Sequence, residues 1–436
     1  MKYQVKNLEV NDSTIEISRP SLDNNDNVFS MLVGKNAVGK TRALSKLVNS
    51  CVFRKNPGEV VETFDSLKYP SSVIAVSNSK FDRFPDPALY SRREFAFQGV
   101  YHYFGLGSFR AGASRILSKA FEKLLRKAAE SNSHGHDLAI LLDYVGFLPL
   151  MQIDFRRPYR YEKSRKGDES NHLYDEFSRG TSYSNPESIV FDFDFESCIL
   201  PALQYFETRE RSGKGLSLRL DLSGPLVNDE DIVEFCEFGA ILLQAGLLKV
   251  FKLALFDKRT KNKLAFHQAS SGQQCMLLML FGIMGAIEDY SLICIDEPEI
   301  SLHPRWQAEF IGILQTAFTS ARGCHFVIAT HSPQVIAGLT SKNGWVVDLE
   351  SYELIHSSEY ARKSADFQLT EVFHEPGFKN EYLIRVLLVL LSKVSNKQEL
   401  TPADRTKLLH LDSIKGRLDT ADPVLHLLNQ VKMLVE

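Results

Sequence analysis

The chain has 436 residues, of which 44% are hydrophobic and 24% are charged. This composition supports roughly two to three globular domains and excludes a disordered chain, a collagen-like repeat and a membrane bundle. The formal net charge of −3 argues against a globally basic nucleic-acid binder, although it leaves room for a local basic patch.

Strands are predicted in the first part of the chain. Tyr3–Val10 and Thr14–Ile17 are β-prone, and Val28–Val33 is an apolar run typical of a strand buried on both faces. A glycine-containing loop then leads to a predicted helix over Lys40–Cys51. Val73–Val76 is predicted as a further buried strand.

The middle of the chain has helical and hairpin patterns. Arg115–Glu130, Leu138–Leu148 and Asp231–Gln244 have helical periodicity. Lys249–Asp257 and Lys263–Phe266 alternate on either side of a polar turn, which predicts a β-hairpin.

Short strands and then helices are predicted toward the C-terminal end. Leu292–Ile295 and His325–Ala329 are apolar strands, and Asn380–Val394 has a helical pattern. Thr401, followed by a proline, predicts a helix start that is capped by the threonine hydroxyl.

The strongest local motif is a glycine-rich loop between a predicted strand and a predicted helix. It fits GxxxxGK[ST], in which glycines let backbone N–H groups point at phosphates while the helix presents its positive end to them. Lys40 is predicted to reach the β- and γ-phosphates, and the Thr41 hydroxyl to ligate Mg²⁺. The predicted ATP-binding residues are Gly34, Lys35, Asn36, Ala37, Val38, Gly39, Lys40 and Thr41.

Two acidic residues, Asp296 and Glu297, follow an apolar strand. Asp296 is predicted to hold Mg²⁺, and Glu297 to polarise the attacking water as a general base. Two acids in this position are by themselves often only a solvated strand end. The phosphate-binding loop upstream favours the catalytic interpretation.

Two further turns carry groups that suit a phosphate. One precedes an apolar helix, where hydroxyls and free N–H groups together form an anion site. Its residues are Ser270, Ser271, Gly272 and Gln273. His331 follows a predicted strand and can donate a hydrogen bond to a γ-phosphate. The simpler alternatives are a helix N-cap and a loop histidine with local hydrogen bonds.

The order of these motifs resembles that of ABC-type ATPases. Gly272 follows Lys40 by 232 positions and precedes Asp296 by 24, which is similar to the SMC-like branch, where an insertion interrupts the ATPase head. The resemblance implies an α/β P-loop NTPase of ABC-ATPase head type, with a mixed sheet and helices, a mostly helical insertion and a helical C-terminal tail. The implied domains are a first half-head over 1–110, an insertion over 111–235, a second half-head over 236–349 and a helical region over 350–436. Within the insertion, the polar composition of 162–188 predicts a flexible segment.

The resemblance also implies an assembly. In ABC-type ATPases the signature turn of one subunit covers the nucleotide on the P-loop of another. The turn at Ser270–Gln273 would therefore act in trans in a head-to-head homodimer around ATP and Mg²⁺, which higher oligomers could extend. His331 would be the switch histidine. The family usually has a glutamine after the strand that follows the P-loop helix, but this strand ends in Ser77, Asn78 and Ser79, so that position stays open.

Three details narrow the resemblance: Asn36 in the loop, the run Asp296–Pro304 and the run Thr330–Pro333. Together they look like the overcoming-lysogenisation-defect (OLD) ATPases, the AAA_21-type ATPases and the ATPase subunits of Septu and retron-associated antiphage systems. OLD-type proteins often carry a C-terminal nuclease with an Asp-x-Asp motif, and no such motif occurs after residue 350. The resemblance therefore implies a separate nuclease effector of HNH type, and a link to nucleic acid or to a retron reverse transcriptase with its DNA.

A short cluster of basic residues is interleaved with tyrosines, a mixture that suits phosphate contacts and base stacking. The candidate nucleic-acid contacts are Arg156, Arg157, Arg160 and Lys163. The alternative is the solvated face of a loop.

Features of the whole chain predict a cytoplasmic protein without a membrane partner. The six cysteines form no CxxC pair and have no zinc spacing, which predicts free thiols in a reducing compartment. The N-terminal residues lack the apolar core of a signal peptide. The apolar run Cys275–Ile287 is shorter than the roughly 20 residues of a membrane span.

Three classes of function remain open on these grounds. The first is an antiphage ATPase that regulates a nuclease. The second is a DNA-repair or chromosome ATPase that acts directly on DNA, which would normally have coiled-coil arms, and no long heptad run occurs here. The third is a transporter's nucleotide-binding subunit, against which the long insertion argues. A neighbouring gene for a nuclease, a reverse transcriptase or a permease would discriminate them.

Overall fold

Fourteen strands in three sheets organise the described part of the chain. The computed structural model describes residues 3–10, 13–20, 23, 25–35, 37–53, 61–64, 69–79, 82–86, 100–105, 109–130, 134–157, 195–213, 215–223 and 230–435. The strands are β1 (Val5–Val10), β2 (Ser13–Glu16), β3 (Val28–Val33), β4 (Val61–Thr63), β5 (Ser72–Ser77), β6 (Val100–Gly105), β7 (Phe147–Arg156), β8 (Ser217–Asp221), β9 (Lys249–Asp257), β10 (Lys263–Ala265), β11 (Leu292–Asp296), β12 (His325–Ala329), β13 (Gly344–Asp348) and β14 (Leu354–His356).

The central sheet has the order β14-β13-β3-β12-β11-β5-β6. Its neighbouring strands are parallel, except that β14 runs antiparallel to β13. Every residue of β3, β5, β11 and β12 is buried, as expected for parallel strands covered on both faces. The prediction of buried strands at these four places is confirmed, and so is the α/β class with a mixed sheet.

Helices cover both faces of this sheet. The described helices are α1 (Lys40–Val52), α2 (Phe109–Glu130), α3 (His134–Val145), α4 (Leu200–Arg211), α5 (Glu230–Gln244), α6 (Ser271–Ala286), α7 (Pro304–Ala317), α8 (Pro333–Ala337), α9 (Ala365–Glu371), α10 (Glu381–Ser395), α11 (Pro402–Ser413) and α12 (Pro423–Val435). The apolar side of α1 packs with β1 and β2 in one core. The helices α2, α3, α6 and α7 pack in the other.

A second, antiparallel sheet has the order β10-β9-β7-β8. It confirms the predicted hairpin of β9 and β10. The predicted helix over Leu138–Leu148 is wrong at its end: α3 stops at Val145, because Gly146 has a φ of 96° in the left-handed region that commonly ends helices. No strand prediction covered β4, β6, β7, β8, β13 or β14. In β7 the apolar start, Phe147–Met151, fits a helix as well as a strand.

The C-terminal helices α10, α11 and α12 share a small core of their own. The predicted cap is confirmed: the Thr401 hydroxyl accepts a hydrogen bond from the backbone N–H of Asp404 at 3.2 Å. Within the described part of the chain, no helix combines the length and the apolar character that crossing a membrane requires. The segment 162–188, predicted to be flexible, lies outside the described residues.

Candidate functional site

The candidate site lies along one edge of the central sheet. The strands β3, β12, β11 and β5 are adjacent and parallel, so their carboxyl ends meet at the same edge. The chain leaves them at Gly34, Thr330, Glu297 and Asn78, respectively. The sheet order therefore brings together three of the motifs that are far apart in the sequence.

The glycine-rich loop has the backbone that its glycines permit. Gly34 has a φ of 135° and Gly39 a φ of 112°, in the region that side chains disfavour. The Lys40 ammonium donates hydrogen bonds to the carbonyls of Gly34 at 2.7 Å and Lys35 at 3.0 Å. The predicted ATP-binding residue Asn36 lies outside the described residues.

Burial changes the protonation of the Lys40 ammonium, which is almost fully enclosed. Burial lowers the pKa of Lys40 to about 8, while the negative charges of Glu297, Glu299, Asp296 and Glu350 oppose that shift. Near neutral pH the ammonium is thus mostly charged, but it is much more readily deprotonated than an exposed lysine.

We expect the affinity for ATP to fall above pH 8 when it is measured in EDTA by fluorescence with a nucleotide analogue. If Lys40 contacts the phosphates, their charge favours the protonated ammonium, so binding above its free pKa of about 8 requires proton uptake. The dissociation constant should then rise by up to about tenfold per pH unit. Lys40→Arg, whose guanidinium does not titrate in this range, should give a flat profile. A flat wild-type profile from pH 7 to 10 would contradict the assignment.

Glu350 anchors the start of the glycine-rich loop. One carboxylate oxygen accepts the backbone N–H of Lys35 at 2.9 Å, and the other lies 3.3 Å from the Lys35 ammonium. Sequence reasoning missed this residue, because it is 315 positions from Lys35 and no local motif marks it. Its place is set by β13, which pairs with β3 and delivers the following residues to the same edge.

The carboxylate of Asp296 lies beside the Thr41 hydroxyl, which donates to its Oδ1 at 3.2 Å. Asp296 is 1% exposed, and burial raises its pKa to about 7; the Thr41 hydrogen bond opposes the shift, and the negative charge of Glu297 adds to it. The second oxygen, Oδ2, is buried and has no hydrogen-bond partner among the described residues. A hydroxyl and a carboxylate with a free oxygen fit the hard ligand set that Mg²⁺ prefers.

Glu297 and His331 face each other across two strand ends. Glu297 has a φ of 50°, and its N–H donates to the carbonyl of Ala329 at 2.9 Å. Its carboxylate lies 3.8 Å from Nε2 of His331. Burial, aided by the charge of Lys40, lowers the pKa of His331 to about 4. The imidazole is therefore neutral at physiological pH and can donate one hydrogen bond.

Glu299 is a third acidic residue at this edge, and it was not among the predicted catalytic residues. Its Oε1 accepts the backbone N–H of His331 at 2.5 Å, while burial raises the pKa of Glu299. Its Oε2 is buried without a hydrogen-bond partner within the described residues. The signal in the sequence was its place two residues after Glu297, in the run that resembles the OLD-type ATPases. Glu299 fixes the backbone that carries His331.

Asn78 occupies the strand end where the resemblance leads us to expect a glutamine. Its backbone N–H donates to the carbonyl of Asp296 at 3.4 Å, and its side-chain amide donates to the carbonyl of Pro298 at 3.0 Å. The amide oxygen is buried and has no partner in the described residues. Asn78 thus ties β5 to the acidic turn after β11.

The Ser270–Gln273 turn forms the N-terminal cap of α6. The Ser270 hydroxyl accepts the N–H of Gln273 at 3.2 Å, and the Gln273 side chain accepts the N–H of Ser270 at 3.0 Å. Ser270 and Ser271 are exposed. Glycine is required at 272, because a Cβ there would lie 2.9 Å from the Ser301 carbonyl. The turn is thus an N-cap whose outer side faces solvent.

The two members of the predicted basic cluster that the structure describes differ in their exposure. Arg156 is exposed at the end of β7, but Arg157 is only 6% exposed and forms ion pairs with Glu207 and Glu210 of α4 at 3.6 and 3.4 Å. The prediction for Arg157 is wrong, because a buried guanidinium with internal carboxylates is not accessible to nucleic acid. The other two candidates, Arg160 and Lys163, lie outside the described residues.

Comparison with known proteins gives a family match over more than half of the chain. The profile of the AAA_21 family, described as "AAA domain, putative AbiEii toxin, Type IV TA system", matches residues 77–337. The match contains the turn at Ser270–Gln273, the acidic strand end and His331. The glycine-rich loop precedes it.

Three curated proteins show similarity at low identity. The "Retron Vc95 probable ATPase" of Vibrio cholerae serotype O1 biovar El Tor is 20% identical over 91% of this chain and 85% of its own length. "Protein ea59" of Escherichia phage lambda is 23% identical over 74% of this chain and 49% of its length. The "Retron Ec83 probable ATPase" of Escherichia coli is 27% identical over 22% of this chain and 19% of its length.

Proposed function

This ATPase chain belongs to the AAA_21 family, and we propose that it hydrolyses ATP between the heads of a homodimer and thereby controls a separate nuclease. The geometry of the sheet edge supports the first part of the proposal. The similarity to two retron ATPases supports the second.

One observation carries the proposal: side chains of complementary chemistry meet at a single edge of the central sheet. The Thr41 hydroxyl touches Asp296, Glu297 faces His331 at 3.8 Å, and the charge of Lys40 acts on His331. Three strands that are distant in the sequence supply these groups. A purely structural role would not require a lysine, two acids and a neutral histidine to be gathered at an edge.

The roles of these residues in hydrolysis follow from their chemistry. Lys40 and the N–H groups at the start of α1 bind the phosphates. A magnesium ion held by Thr41 and Asp296 would supply neutralisation of charge on the β- and γ-phosphates. Glu297 orients water and accepts its proton. His331, neutral and fixed through Glu299, donates a hydrogen bond toward the transferred phosphoryl group.

The exposed position of the turn at Ser270–Gln273 supports the proposed dimer. Ser270 and Ser271 present hydroxyls at the start of the 16-residue helix α6, where N–H groups and the helix dipole favour an anion. We assign this turn to the nucleotide on a second copy. Two identical heads then give two composite sites related by a twofold axis.

A mixing experiment tests the composite site. Lys40→Ala removes the phosphate contact of its own head, and Ser271→Arg blocks the exposed turn without disturbing the core. We expect each variant alone to lose ATPase activity and an equimolar mixture to regain part of it. In a mixed dimer, the P-loop of the Ser271→Arg copy meets the intact turn of the Lys40→Ala copy. Phosphate release is the measurement.

The matched control mixes Lys40→Ala with Glu297→Gln. Both substitutions disable the same half of the composite site, so no intact site forms in the mixed dimer and activity should stay low. Recovery in this control would refute the trans arrangement. So would full activity of Ser271→Arg alone.

The effector belongs to the same proposal. The names of the similar proteins from Vibrio cholerae and Escherichia coli describe retron ATPases, and this supports a defence system in which a nuclease, of HNH type by resemblance, acts beside the ATPase. A reverse transcriptase with its DNA is a second partner on this reasoning. We place the assembly in the cytoplasm, since the cysteines are free and suit a reducing compartment.

A further inference from the structure

The outer face of the antiparallel sheet carries an exposed aromatic ring at a β-bulge. The register of β7 and β9 shifts between Asp154 and Phe155, where Phe155 is opposite Val250 and Asp154 is opposite Lys252. Phe251 is the extra residue of β9 at this point, and it is 53% exposed. Bulges re-aim side chains and are common beside functional sites.

Two cations flank this ring. The Arg156 guanidinium lies 5.4 Å from the centroid of Phe251, and the Lys252 ammonium lies 5.2 Å from it. Both distances are within the range of cation–π attraction. The ring thus has two positive charges close to it while about half of its surface remains in contact with solvent.

More positive charge lies on the same face. In this sheet Leu218 and Leu220 point into the core, so Arg219 points outward. Lys263 donates to the outward Gln152 at 2.7 Å, and Lys249 pairs in register with Arg156. The outward cations, which we call the cationic face, are Arg156, Arg219, Lys249, Lys252 and Lys263.

The acidic residues on this face bond to nearby polar groups. Asp154 accepts the Ser217 hydroxyl at 2.7 Å and the Gln152 amide at 3.1 Å. Asp221 accepts the backbone N–H of Ser223 at 3.0 Å. The five described outward cations of the four strands therefore outnumber Asp154 and Asp221, and two of these cations, Arg156 and Lys252, lie beside Phe251.

We propose that the cationic face binds single-stranded nucleic acid, with a base stacked on Phe251 and the phosphates along Arg156, Lys252 and their neighbours. Single strands combine a negative backbone with unpaired bases, and a basic surface with an exposed aromatic ring matches both. A duplex hides its base faces, and the acidic side chains of a peptide carry no ring that could stack on Phe251.

The location overlaps the sequence cluster at 156–163 only in part. Of the two members of that cluster that the structure describes, Arg156 belongs to the cationic face and Arg157 is buried. The aromatic residue comes from β9, almost a hundred positions later. The proposal also does not depend on ATP hydrolysis, because binding is measured without nucleotide. Failure of the ATPase dimer and failure of this surface are therefore distinguishable.

The test is fluorescence anisotropy of the full chain with a labelled oligothymidine of about 20 nucleotides, over a range of salt concentrations. Phe251→Ala should weaken binding roughly five- to a hundredfold at every salt concentration, because stacking is lost. Its salt dependence should be unchanged. Arg156→Ala should reduce the slope of log K against log salt by about 0.7, the value for one phosphate contact on a single strand.

Lys407→Ala is the matched control, since Lys407 is an exposed cation on α11, far from the sheet in sequence. It should change neither affinity nor slope. Unfolding midpoints close to that of the wild type verify that the variants fold. The proposal is overturned if the wild type does not bind the oligothymidine or if Phe251→Ala binds normally. It is also overturned if a blunt duplex or polyglutamate competes as well as the single strand.

Discussion

Glu297→Gln is expected to lose ATPase activity by roughly 10²- to 10⁴-fold, the usual contribution of a general base, while it still binds ATP. Glutamine keeps the size of the side chain and tolerates the left-handed backbone at this position, where φ is 50°, about as well as glutamate does. It cannot accept the proton of water. The substitution does not alter Lys40 and Thr41, which are the first two residues of α1.

The same variant should accumulate a dimer with MgATP, because the nucleotide that holds two heads together is not consumed. Phosphate release gives the rate, and light scattering gives the assembly. Lys40→Ala, which is impaired in binding, should remain in the form seen without nucleotide. Equal scattering by the two variants would rule out the ATP-held dimer for this protein.

Glu299→Gln provides the matched comparison two residues away. Its amide oxygen can still accept the N–H of His331, the contact that Glu299 makes at 2.5 Å. We therefore expect a much smaller loss of activity than for Glu297→Gln. Similar losses for the two variants would remove the distinction between base and positioning residue.

Asp296→Asn is expected to abolish magnesium-dependent hydrolysis and yet to stabilise the nucleotide-free protein at pH 8. Burial raises the pKa of Asp296 to about 7, so above that pH the folded state carries a buried, costly charge. Asparagine keeps the oxygen that accepts the Thr41 hydroxyl and removes the charge. The gain in the free energy of unfolding is on the order of 2–4 kcal/mol.

The sign of the pH dependence follows from the raised pKa. Below the pKa of an aspartate in the unfolded chain, about 3.9, the Asp296 carboxyl is protonated in both the folded and the unfolded protein. The substitution should then have little electrostatic effect on stability. Between that pH and about 7 the unfolded chain releases its proton first, so the wild type loses stability as the pH rises. Chemical unfolding of both proteins at pH 5 and pH 8, without metal, measures the growing difference.

Asp348→Asn is a control for which we expect the opposite change in the free energy of unfolding. Burial raises the pKa of Asp348, but hydrogen bonds from His374, the N–H of Glu350 and Ser351 outweigh it, and the net shift is downward. The charged form therefore stabilises the fold, and its removal should destabilise the protein at pH 8. If Asp296→Asn is also less stable than the wild type at pH 8, the charged carboxylate of Asp296 does not destabilise the folded protein as we infer.

Local patterns were sufficient for the buried strands, the long helices and the positions of the motifs. Val28–Val33 and His325–Ala329 are nearly continuous apolar runs, and both are strands in the structure. Thr401 with its following proline marks the start of α11. These signals depend on side chains within a few positions of each other, which is the range over which a sequence pattern carries information.

Contacts between segments that are distant in the sequence could not be predicted from local patterns. Glu350 meets the glycine-rich loop only because β13 lies beside β3. Arg157 was predicted on a surface, but its partners on α4 hold it inside. Phe251 is an ordinary strand residue in the sequence, and only the pairing of β7 with β9 makes it the bulged, exposed ring.

The sequence by itself predicted the chemistry that we propose for this protein: a glycine-rich loop, an acidic strand end, a Ser-Ser-Gly-Gln turn and a histidine, in an order that resembles one class of ATPase. The tertiary structure decided which groups act on each other. The sheet order places Lys40, Asp296 and His331 at one edge, and burial there shifts their pKa values. The physical reason is that residue types and short spacings are fixed along the chain, whereas desolvation and contact depend on strand order and packing in three dimensions.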